Sequence, residues 1–222
     1  MLGLKRMVML AAFGLVSFAS TGLAATSADI RDESLVWFTV QPLGIHAATL
    51  IAPTAQLGVL LGGDFVVGAA SGEKTYSYDE PTVKSKISFS NQGVWARYFL
   101  GNSFNILLAS DKRVWNGQAT ATQSSYVGST KVTATAQVDV LAEARVNTIG
   151  ISNLWTLGAG FTIGADWALV SSAASRSYTY TVSTNTGVDT TVLNKDMDKL
   201  GKALNDLSVA SGVTVLTLGW AF

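Results

Sequence analysis

The chain has 222 residues, no cysteine, a single histidine, and 15 basic against 15 acidic side chains. The missing thiols exclude a disulfide framework, a lipid-modified cysteine, a thiolate metal site and a cysteine nucleophile, and the balanced charge gives no electrostatic reason for a nucleic-acid partner. Apolar residues make up 48% of the chain and the mean hydropathy is +0.33, yet beyond residue 25 no apolar run approaches the ~20 residues that a transmembrane helix needs. Apolarity is spread by alternation instead. In lipid, only a closed sheet satisfies the backbone without helices, so the pattern predicts an all-β chain folded as a transmembrane antiparallel up-and-down β-barrel.

Residues 1–25 read as a secretory signal, with Lys5 and Arg6 before the apolar stretch from Met7 to Phe18 and small residues around Ala24. The barrel is then expected over 26–222. The first candidate strand, 34–41, is short and turns at Pro42; 43–52 follows. Segment 56–69 places Leu57, Val59, Leu61, Phe65 and Val67 on one face and Gln56, Gly58, Asp64 and Gly68 on the other. Segments 86–100 and 103–114 continue the alternation, with Arg97, Asp111 and Arg113 on the inward side.

Segment 132–147 reads as Val and Ala outward from Val132 to Val146, with Gln137, Asp139, Glu143, Arg145 and Asn147 inward. An outer face of small residues alone suggests a close approach by another protein surface, by analogy with small-residue helix interfaces. Segment 155–170 places Trp155 and Trp167 outward, separated by roughly the height of an apolar band, as two aromatic girdles; Asp166 faces inward. Tight turns are read at 52–55, 101–102 and 152–153, and long polar loops at 70–85, 115–131 and 171–212. Within the last loop, Met197, Leu200, Leu204 and Leu207 fall at helical spacing after Asn194 as a cap, predicting a short amphipathic helix over the barrel mouth or against the outer leaflet. Asp196 and Asp198 read as acids favoured at a helix start.

These segments give seven strong strands and a weak N-terminal one. Either 34–41 closes an eight-stranded barrel, or a neighbouring subunit completes the edge. Assigned by alternation, the lumen holds Asp64, Asp111, Asp139, Glu143 and Asp166 against Arg97, Arg113 and Arg145. Because buried charges persist when paired, the reading is a polar core that plugs the barrel, with a proton or ion path as the alternative. His46 stands alone without a flanking motif, so no catalytic residue, cofactor or metal site is assigned, and the chain is expected not to be an enzyme.

In the final strand, Leu216, Leu218, Trp220 and the terminal Phe222 share one face. Together with the N-terminal signal and the alternating segments, this resembles the small outer-membrane β-barrels of Gram-negative bacteria, the OmpA-like and opacity-type barrels, without a peptidoglycan-binding domain. The Val-Gln-Pro-Leu-Gly run at 40–44 is similar to the opening of many such barrels. The resemblance implies an outer-membrane location, contact with outer-membrane lipid, and recognition of the terminal Phe222 strand by the barrel assembly machinery. It also implies a structural or surface-interaction role, with a porin-like pore or lipid-organising homo-oligomer as the alternative and a lipid-modifying enzyme as a third. A fold of this kind does not fix one function.

Overall fold

The computed structural model describes residues 25–46, 49–50, 52–185 and 190–222; the signal sequence lies outside these apart from Ala25. A short helix α1 (Ser27–Asp32) precedes strand β1 (Val36–His46) and the two-residue β2 (Thr49–Leu50). Then come β3 (Thr54–Leu60), β4 (Phe65–Asp79), β5 (Val83–Phe99), β6 (Phe104–Val127), β7 (Thr130–Leu157) and β8 (Phe161–Thr184), followed by helix α2 (Thr191–Ser208) and β9 (Gly212–Ala221). Eight antiparallel strands form a ring in the order β1-β3-β4-β5-β6-β7-β8-β9, closed by β9 against β1; β2 folds back on the end of β1. At the seam, Val36 N–H donates to the Phe222 carbonyl at 3.0 Å and Phe222 N–H to the Val36 carbonyl at 2.8 Å.

The strand count agrees with the sequence reading, but the partition differs. Segments 34–41 and 43–52 are largely one strand, because Pro42 sits in a bulge where the β1–β9 register shifts and its missing N–H costs no ladder bond. Segment 56–69 is instead a hairpin, β3 and β4, around Leu61 to Asp64. Segment 155–170 likewise contains the β7–β8 turn. Gly158 and Gly160 adopt φ of 44° and 89° there, whereas Ser152 and Asn153 lie inside β7. A side chain on Gly160 would collide with the Ala221 carbonyl, so the glycine is needed for this close approach.

The long polar loops at 70–85 and 115–131 are strand extensions. β4 and β5 remain paired out to Asp79 and Lys84, and β6 and β7 to Val127 and Thr130. Their alternating Thr, Tyr, Lys and Ser have strand propensity, which keeps these polar stretches paired as strands. Strand β7 has 28 residues, a height of roughly 65 Å at ~3.3 Å per residue and a tilt near 45°. That is more than twice what an apolar band of about 25 Å requires.

Around the lower part of the barrel the outward side chains are apolar and exposed, among them Leu57, Val94, Leu108, Ile149, Ile151, Trp155, Trp167 and Val170. Trp155 and Trp167 both point outward, but they flank the β7–β8 turn. Trp155 is opposite Ile163, so Trp167 stands only on the order of 10 Å above it, not across the full band.

The face assignment for 132–147 is inverted. Val140, Ala142, Ala144 and Val146 are buried on the inside, while Gln137, Leu141, Arg145 and Asn147 are exposed outside. This part of β7 lies above the apolar belt, where the exposed convex side is mostly polar. The Val and Ala face instead packs under α2, in a cluster with Leu204, Met197, Leu207, Trp115 and Tyr178.

Candidate functional site: the layered lumen of the barrel

The lowest layer is α1. Thr26 and Asp29 form a reciprocal capping box, in which the Thr26 side chain accepts from Asp29 N–H and the Asp29 carboxylate accepts from Thr26 N–H. The Thr26 hydroxyl also donates to that carboxylate at 2.8 Å, and this bond, with the one from Thr26 N–H, holds the Asp29 carboxyl below its ordinary range. The helix brings Arg31 beneath the barrel, where its fully buried guanidinium donates to the carbonyls of Gly63 (2.8 Å), Asn102 (2.7 Å) and Gly101 (2.8 Å). It also lies 3.9 Å from the Phe99 ring centre. Gly63 N–H donates to Asp32, and Ser27 donates to the Thr156 carbonyl. One turn of helix thus ties together the ends of three hairpins. The spacing Thr26-x-x-Asp29 carries this helix as a capping-box signal, and no part of the alternation reading used it.

Above α1, inward Trp37, Leu60, Val66, Phe99 and Leu154 form an apolar layer. Over it lies an ion pair. Arg97 Nη1 and Nη2 reach the two Asp166 oxygens at 2.7 and 3.1 Å, and both side chains are 1% exposed. Arg97 also donates to Asn105 (3.0 Å) and Ser152 (2.9 Å), while Gln41 donates to Asp166 at 2.7 Å. The register of β8 shifts on both of its edges around Asp166. Bulges of this kind re-aim side chains, and above this one Leu169 turns inward, against the outward position expected from the alternation.

Next comes a cavity of about 110 Å³, lined by Gln41, Asn91, Trp95, Asp111, Arg113 and Leu169 among others. Leu207 of α2 lines its upper side. Arg113 pairs with Asp111 and donates to the Ser208 carbonyl at 2.7 Å, so it caps the C-terminal end of the helix. Gly201 of α2 lies flat on Tyr178, where a Cβ would collide with the ring. Tyr178 donates to Asp198, which also accepts from Lys202 at 2.7 Å. The Lys202 and Tyr178 hydrogen bonds hold the Asp198 carboxyl below its ordinary range, and the bond to Asp198 raises the Tyr178 phenol.

Of the eight charged residues assigned to the lumen from sequence, the structure brings together Arg97 with Asp166 and Asp111 with Arg113. Asp64 is exposed beside the β3–β4 turn. Asp139, Glu143 and Arg145 stand on the outer side of β7 with Gln137 and Asn147; the inverted face of that segment removes them from the lumen. The helix begins at Thr191, three residues ahead of Asn194, and Asn194 donates to Thr190 instead of capping. Asp196 pairs with Lys199 and Asp198 serves Tyr178, so neither acid is a free helix-start charge. The helix inserts in the mouth, burying Leu204 and leaving Leu200 at 39% exposure. In β9, Leu218 and Trp220 face outward and Phe222 is 66% exposed, whereas Leu216 lies at a register shift, above which Thr214 turns inward. His46 ends β1, with its backbone paired to Thr49 and Gly212. Among the described residues no group of three or more His, Cys, Asp or Glu side chains is placed to hold a metal ion.

No known family model matches the chain, and no curated protein matches it in sequence. Among solved structures it is similar to CarO of Acinetobacter baumannii, with 10% identity over 86% of this chain and 99% of that one at a TM-score of 0.49. CarO2 of the same organism gives 8% identity over 85% and 98%, at a TM-score of 0.44.

Proposed function

We propose that the chain is a non-enzymatic integral outer-membrane β-barrel whose lumen is plugged and whose role is structural or surface-interacting, its polar extensions and α2 presented outside. The observation that carries this reading is the exterior of β7, where exposed Ile149, Ile151, Trp155 and Leu157 give way above Asn147 to Arg145 and Glu143. Such a boundary matches lipid below and water above. The two grounds for a homo-oligomeric interface are weakened, since β1 pairs with β9 and the Val and Ala face of β7 packs inside. Planar-bilayer recording of the refolded protein tests the plug: no unitary conductance is expected, and steady open steps from the intact protein would overturn it.

A second reading, a gated narrow pore, is favoured by the cavity beneath α2. It predicts steps only once the helix is displaced, for instance in a variant deleted over 190–209.

A further inference from the structure

We propose that Lys112 and Arg145, on the outside of the barrel, dock the phosphate of an outer-leaflet glycolipid; this rests on the membrane reading above. The two residues are register partners on β6 and β7, and both are exposed. Like charges placed directly opposite in a sheet repel. Lys112 Nζ has Glu143 at 2.9 Å, but among the described residues no ion pair involves Arg145. Their other cross-strand neighbours, Gln92 on β5 and Ser175 on β8, are neutral. The cluster therefore keeps one uncompensated positive charge on the barrel wall.

Its depth points to the occupant. Below it come the pairs Ser110 with Asn147 and Leu108 with Ile149, and the last two are exposed apolar residues of the belt. From Leu157 to Arg145 the rise is roughly 28 Å, against an apolar band of about 25 Å, which sets the guanidinium at headgroup level. A guanidinium fork matches two phosphate oxygens, and the ammonium adds a point charge to the third.

Native mass spectrometry of the detergent-solubilised protein tests this with bisphosphorylated lipid A, dephosphorylated lipid A and inorganic phosphate as separate probes. Binding of the bisphosphorylated lipid about tenfold tighter than the dephosphorylated one is expected, the gain of charge-assisted bonds. The Lys112→Gln/Arg145→Gln variant is expected to lose that preference. An undiminished preference in the variant, no preference in the parent, or inorganic phosphate binding as tightly as the lipid would each overturn the site. Because both side chains lie outside the core, both proteins are expected to insert equally into phosphatidylcholine vesicles. Failure of both to insert would instead strike the membrane reading on which the site rests.

Discussion

The two halves of β7 follow opposite rules on an unbroken alternation. Between Thr148 and Leu157 the outer face is largely apolar and the inner face carries Thr148, Ser152 and Thr156; between Gln137 and Val146 the outer face is mostly polar and the inner face is Val and Ala. The backbone phase does not change; the surroundings do. On the proposed membrane reading, lipid outside the lower half rewards apolar residues there, while in the upper half the apolar material is drawn inward beneath α2, as in a water-soluble protein. The barrel thus carries an outward apolar belt below and an inward apolar core above on the same strands.

The sharpest way to break this contrast is at the core of the lower half. Asp166→Ala is expected to strand the buried Arg97 charge and destabilise the barrel by about 3–5 kcal/mol in urea titration; a loss under 1 kcal/mol would mean that the pair does not hold the lower lumen together. In the upper half, Leu204→Ala opens a cavity under α2, with an expected cost of about 2–5 kcal/mol. That cost is expected to appear as faster hydrogen exchange in 191–208 while the lower strands stay protected; uniform loss across the barrel would show that the two halves are one cooperative unit.

A matched pair on one face sharpens it further. Ile149→Lys places a charge against lipid, at a cost of about 2–4 kcal/mol near the midplane and less towards the interface. Leu141→Lys, also outward but above the belt, is expected to stay within about 0.5 kcal/mol. Equal costs from folding titrations in vesicles would erase the boundary between them.

The smallest effect is pH-dependent. Asp198 is held below its ordinary range, so its contribution to α2 docking is present above the unfolded value near 3.9 and is lost as pH falls through the lower folded value. Tyr178 is raised, so its contribution is present below about 10 and is lost as pH climbs through the higher folded value. Trp115, in the cluster beneath α2, is expected to report both edges by fluorescence. Asp198→Asn would remove the acid edge; an acid edge that persists in this variant would assign it elsewhere.

The same contrast explains what the sequence discloses. The alternation of 86–100 and 103–114 orients Arg97 where those segments cross the belt and apolar means outward, and the unbroken alternation of β6 carries the same phase up to Asp111 and Arg113. Carried above the belt to 132–147, that rule reverses the answer, since nothing in the residues marks where lipid ends. The β7–β8 turn is hidden for another reason: it leaves Leu157 and Phe161 both on the outer side, so the alternation runs through it without a break. The β3–β4 turn does the same between Leu61 and Phe65. The pairing of Arg97 with Asp166 depends on bulges at Asp166 and on strands distant in the chain, which spacing alone does not encode. Arg31 lies outside the alternating segments because it precedes every strand, although its helix carries a capping signal.

The seam between β1 and β9 has a kinetic consequence. Every other ladder of the ring joins strands that follow one another in the chain, apart from the two-residue β2 between β1 and β3, and can form as a growing series of hairpins, whereas this one joins the two ends of the barrel. Closing it last means paying the largest loop entropy once, from an open sheet with two bare edges. Arg31, immediately before β1, grips the turns at Gly63 and Gly101, so α1 can gather that early edge against the next two hairpins before β9 arrives. An Arg31 substitution is thus expected to slow closure, seen as a longer-lived heat-sensitive open form on cold gels, even where the finished barrel is little less stable.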